Sequence, residues 1–168
     1  VNSGIDNLHE AIENFQIAEE NARIILVLCD LILFCLTANK FKLARRSLSK
    51  GFRIAKKLKD DGLILRLDIS NQLLNIIDIS DNIDLLELKT IESTIHDHDE
   101  DSFDYLNWWL LATCYGLLND KNISSKYLNK AKKSINISSS IITDLKQRDS
   151  FFNKHVFNRK IINDQLLT

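Results

Sequence analysis

The chain has no proline and no methionine, and only four glycines and three cysteines in 168 residues. Average usage would supply about eight prolines over such a length. With no proline and little glycine, the punctuation of sandwiches and barrels is missing, so long helices are expected. The absent methionine predicts that the sequence is a piece of a longer protein. Cys29, Cys35 and Cys114 are an odd number without CxxC spacing, which argues against a disulfide framework, a zinc site or a redox pair. They read as buried, reduced thiols of a cytoplasmic protein. The greasiest run, IILVLCDLILFCL from Ile24 to Leu36, includes Asp30 and falls short of the ~20 residues that span a bilayer. The opening VNSGIDNLHEAIENF has neither the basic nor the apolar region of a signal peptide, so no membrane association is expected.

What is present is balanced. Against 22 basic side chains stand 23 acidic ones, and 45% of residues are hydrophobic. That composition fits one globular domain over 1–168. Apolar residues recur at helical spacing almost throughout, and no segment alternates with period two. Ile5, Leu8, Ala11, Ile12, Phe15 and Ala18 share one face of a first helix over 5–20. A second, apolar nearly all round, covers 21–37 and reads as sandwiched between neighbours. A third covers 41–59, and Asp60, Asp61 and Gly62 break it, the two acids also suiting the start of a fourth over 63–79. A fifth is expected over 83–95. After the acidic HDHDEDS at 96–102, where Ser102 is the expected N-cap, come a sixth helix over 103–118 and a long seventh from Ile123 toward Ser150. A last amphipathic stretch covers 151–167. Short turns between helices of similar length imply antiparallel neighbours.

Helix, short turn and helix recur about every 35 to 40 residues, the mark of a repeat. In one copy Trp108, Leu111, Ala112 and Tyr115 are followed by Ser124, Leu128 and Ala131; in another Leu28, Leu31, Ile32 and Cys35 are followed by Ala44, Leu48 and Gly51. These residues and spacings resemble the tetratricopeptide repeat. The resemblance implies an all-α fold of antiparallel helix pairs stacked as a right-handed superhelix. Residues 5–20 then form a half repeat, 21–59 a repeat, 63–95 a degenerate repeat, 102–150 a repeat with an extended second helix, and 151–168 a capping helix. The string RDSFFNKHVFNRKII (148–162) is similar to the ending found after such repeats in large signalling ATPases, nucleotide cyclases and maltose-regulon-type activators. That likeness implies a closing cap built on Arg148, Phe151, Val156, Asn158, Arg159 and Ile162, and a sensor or scaffold role with no catalysis of its own. The family's repeat-ending proline is absent, with Lys56 and Asn136 near those positions, and Ser124 stands where alanine is commonest.

The residues that can carry chemistry are few. Nine cations crowd 40–59, and no acid lies between Asp30 and Asp60. At 100° per residue, Lys42, Arg46, Lys50, Arg53 and Lys57 gather on one side, away from Ala44, Leu48 and Ala55. Such a stripe can grip an acidic peptide or phosphates, or be a solvated outer face. The near-neutral total charge argues against nucleic acid. HDHDED has metal-donor types but no HExxH and no calcium-loop pattern, and reads as an acidic loop; no metal and no cofactor are expected. No GxSxG, GxGxxG or P-loop occurs, and His9 and His155 have no nucleophile beside them, so no catalytic residue is assigned. Trp108 falls at a packing position, whereas Trp109, turned about 100° from it, is a candidate exposed anchor for a peptide if it is not packed between repeats.

The expectation is thus a non-catalytic interaction or regulatory segment of a larger signalling protein. It would bind a protein or acidic peptide through Lys42, Arg46, Lys50, Arg53, Lys57 and Trp109, together with the inner faces of each pair's first helix. Flanking domains of the same parent chain are further expected partners. The alternatives are anion or nucleic-acid binding through 40–59, and a helical regulatory part of a multidomain enzyme.

Overall fold

Helix follows helix through the computed structural model, which describes residues 2–78, 85–97 and 104–167. In order these are α1 (Asn2–Ile17), α2 (Asn21–Thr37), α3 (Phe41–Leu58), α4 (Asp61–Asp78), α5 (Leu85–Asp97), α6 (Tyr105–Leu117), α7 (Lys121–Ser140), α8 (Leu145–Asn153) and α9 (Val156–Ile162). No strand occurs among the described residues. The all-helical class expected from the sequence is therefore present.

One turn geometry recurs without glycine. Glu19, Asn39, Asn119 and Asp164 each take a left-handed conformation, with φ between 54° and 63°. The next residue's N–H then bonds five residues back: Glu20 to Phe15, Lys40 to Cys35, Asp120 to Tyr115 and Gln165 to Lys160, at 2.8–2.9 Å. The left-handed residue itself bonds three residues back, completing the Schellman closure that satisfies the last carbonyls of a helix. After three of these four turns a new helix begins at once, so the chain doubles back on itself. Lys59 is also left-handed, at φ 55°. Asp60 then accepts from the Leu63 N–H at 3.0 Å, the helix-starting role foreseen for that acid. Gly62, expected as a breaker, lies inside the first turn of α4.

The chain divides into two compact units, Val1–Ile91 and Glu92–Thr168. In the first, α2 is the centre and packs against α1, α3 and α4. Its Ile25, Leu31, Ile32 and Cys35 are completely buried, as its all-round apolar sequence foretold. Each such aliphatic side chain contributes roughly 1.5–3 kcal/mol by leaving water. Ile5 and Ile12 of α1, Ala44, Leu48 and Ala55 of α3, and Leu67, Leu73 and Leu74 of α4 complete the core. Gly51 leaves the space that the Leu67 side chain of α4 fills; a β-carbon there would lie 2.8 Å from a Leu67 methyl.

In the second unit α6 and α7 form the main pair. Trp108 stacks on Tyr127 with ring centroids 5.5 Å apart, and Tyr115 lies 5.9 Å from the same ring. Ser124 donates to the Ala112 carbonyl at 2.8 Å, so the hydroxyl standing where alanine is commoner has its own partner. Asp104 caps α6 by accepting from the Leu106 N–H at 2.7 Å. The expected cap, Ser102, lies outside the described residues, as do 98–101 of the acidic loop.

The helix expected to run toward Ser150 ends at Ser140 instead. Ser139 and Ser140 turn their hydroxyls back onto the Asn136 and Ile137 carbonyls, a local bond that competes with helix continuation. Asp144 then opens α8 by accepting from the Gln147 N–H at 2.8 Å. Arg148 closes the break with two bonds to the Ile142 carbonyl, at 2.7 and 3.0 Å. The single capping stretch expected over 151–168 is likewise two short helices, tied where Asn158 donates to the Phe151 carbonyl at 2.9 Å. Arg148 and Asn158, singled out in the closing string, are thus the side chains that hold its chain reversals.

Candidate functional site

Burial of one face fixes the orientation of α3. Ala44, Ser47, Leu48, Gly51 and Ala55 are buried, so they must face α2 and α4. The opposite side then presents Lys42, Arg46, Arg53 and Lys57 to solvent, with Lys50 half-buried at one edge. At 1.5 Å per residue this stripe is about 22 Å long.

The helix carries seven cations and no carboxylate. Arg45, at the α4 edge, is neutralised by Asp78 at 2.7 Å and also donates to Asn75. Lys56 lies near Asp68, whose carboxyl is pushed up by burial and by Glu87 against the opposing pull of Lys56. Among the described residues, none of Lys42, Arg46, Lys50, Arg53 and Lys57 forms an ion pair. Lys56 and Lys57 in the last turn complement the negative end of the helix dipole, whereas Lys42 sits at the positive end and strengthens the local field.

A groove of about 510 Å³ runs beside the stripe where α1 turns into α2. Lys50, Arg53 and Lys57 form one side; Gln16, Glu19 and Asn21 form the other; Ile24, Ile54 and Leu58 supply the apolar floor. A second concavity of about 550 Å³ lies on the stripe itself, between Arg45, Arg46, Ser49, Lys50 and Arg53. The stripe follows from helical periodicity. The facing wall does not, because nothing in the sequence brings 16–21 beside 50–58 except the tertiary packing of α1 and α3 on α2.

Trp109 is a correction. Its surface is completely buried, its ring lies 5.6 Å from that of Phe157, and its Nε1–H donates to the Gln165 carbonyl at 2.8 Å. The α9 segment covers the ring, so Trp109 is core and not an exposed anchor. The first helices offer little inner face for binding: Asn107 through Tyr115 of α6 are buried without a break, and so is most of α2.

The candidate nucleophiles and bases are placed as follows. All three thiols are buried. Burial pushes Cys114 up to about 12, and it raises Cys35 against the opposing charge of Lys40. Neither is a nucleophile near neutral pH. His9 and His155 are exposed. Among the described residues no three His, Cys, Asp or Glu side chains gather into a metal site, and no helix is long and apolar enough to cross a membrane.

Comparison with models of known protein families, with curated protein sequences and with solved structures finds no match.

Proposed function

We propose that this chain is a non-catalytic protein-interaction segment that docks an acidic stretch of a partner protein along α3. One observation carries the reading: five cations, Lys42, Arg46, Lys50, Arg53 and Lys57, share one face with no carboxylate paired to any of them among the described residues. A single exposed ion pair contributes only ~0.2–1 kcal/mol. A row of five engaging together is of a different order, and it speeds encounter with an oppositely charged partner. The finer fold expectation belongs to the same proposal. The pairs α2–α3 and α6–α7, closed by one kind of turn, resemble tetratricopeptide units whose stacking as a right-handed superhelix creates binding surface. Service in the cytoplasm, within a larger signalling protein, completes it.

Titration of the chain with a fluorescein-labelled glutamate-rich peptide tests this by anisotropy. Binding should weaken with added salt and be lost in Arg46→Glu/Arg53→Glu/Lys57→Glu, which changes only exposed positions and should leave the circular dichroism unchanged. Equal binding by the variant would sink the proposal. Tighter binding to single-stranded DNA than to the peptide would favour the polyanion reading instead.

A further inference from the structure

We infer that the groove beside α3 selects acidic segments carrying an aliphatic residue among their carboxylates, and that the aliphatic side chain seats between Ile24, Ile54 and Leu58. This rests on the reading of α3 as a docking face and adds the feature that would make it selective. Among the described residues the groove's two sides differ in charge: Lys50, Arg53 and Lys57 on the α3 side, against the carboxylate of Glu19 on the other. An acidic ligand is drawn to the α3 side and pushed away from Glu19, which gives it one preferred position across the groove.

The floor then sets the register. Ile54 and Leu58 are one helical turn apart, each directly following a cation, Arg53 or Lys57, so an aliphatic group on the floor has both cations along its α3 side. Leu58 is 40% exposed in the absence of a partner, leaving apolar area to be covered on binding. Gln16 and Asn21 bring side-chain amides that can donate to and accept from a peptide backbone. Among the described residues no aromatic ring lines the groove, so they offer no platform on which a nucleobase could stack. At about 510 Å³ it lies within the usual range of ligand-sized sites, roughly 300–1,000 Å³.

Two labelled peptides separate this from attraction by charge alone. One has a leucine flanked on each side by three glutamates; the other has serine in place of that leucine. Covering the aliphatic group should make the leucine peptide bind about tenfold more tightly. Leu58→Ser should erase that preference and Leu58→Met keep it, both with the helical circular dichroism of the parent chain at the assay temperature. If leucine and serine peptides bind equally, the groove inference fails while the cationic docking face stands. A preference that survives Leu58→Ser overturns the inference too. If neither peptide binds, both readings fall.

Discussion

The Ser124 hydroxyl reaches across from α7 to donate to the Ala112 carbonyl of α6 at 2.8 Å, beside Gly116, where a β-carbon would clash with a Leu166 methyl and lie 3.2 Å from the Ser124 hydroxyl oxygen. Close approach of the two helices and this bond depend on one another. Ser124→Ala removes the bond but leaves no unpaired donor, so it should cost about 1 kcal/mol. Ser124→Leu forces extra volume into the same gap and should cost several times more. Urea unfolding of both variants measures the difference; equal costs would show that helix separation is not set here.

Trp109 is bound by packing and by one hydrogen bond. Trp109→Phe keeps most of the ring and leaves the Gln165 carbonyl near the surface, so about 1 kcal/mol should be lost. Trp109→Ala opens a cavity under α9 and should cost ~3–5 kcal/mol. Acidic-peptide affinity of the Trp109→Phe variant should equal that of the parent chain, because the indole has no exposed surface to offer a ligand.

Thiol reactivity checks the cysteine environments. With Cys29, Cys35 and Cys114 all buried, a disulfide reagent at pH 8 should titrate none rapidly in the native chain and three in denaturant. Cys114, pushed up to about 12, should be among the last to react as the protein opens. Rapid native labelling of Cys114 would contradict its placement in α6.

Asp68 gives a pH dependence of defined sign. Burial and the neighbouring Glu87 raise its carboxyl, so the folded state favours the protonated form more than the unfolded chain does. The resulting penalty is absent at pH values below the unfolded pKa, ~3.9, and is complete above the folded one. Asp68→Asn should therefore stabilise the chain at pH 7, and the gain should vanish as the pH falls to about 3.5. Urea midpoints at both pH values provide the check; destabilisation at pH 7 would mean that the attraction to Lys56 outweighs burial.

How much of this is legible in the sequence depends on the range of the interactions. The class, most helix positions and the face of α3 follow from spacing, because periodicity and the missing prolines act within one helix. Asp60 as a helix start was readable for the same reason. The end of α7 was not: Ser139, Ser140 and the Ile141–Thr143 stretch are tolerable in a helix, and the break depends on Arg148 reaching back to Ile142. Trp109 was ambiguous because helical angle places it away from Trp108 without saying what covers it; Phe157 and Gln165, far along the chain, decide that. Gly51 was recognisable as a small residue at a helix contact, but its occupant, Leu67, belongs to a different pair of helices. The groove wall at Gln16, Glu19 and Asn21 was invisible for the same reason.

The reversals of this chain place side-chain-bearing residues at left-handed positions where glycine is commoner. A left-handed backbone costs an ordinary L-residue roughly 1–2 kcal/mol, and Asn or Asp somewhat less. Lys59, at φ 55°, bears that cost on an exposed surface, remote from the buried core. Lys59→Gly should therefore raise the melting temperature of the chain by a few degrees. The fold keeps an unused thermal reserve in its reversals. It can be adapted to a hotter setting there without altering either the packing of α2 or the five cations on α3.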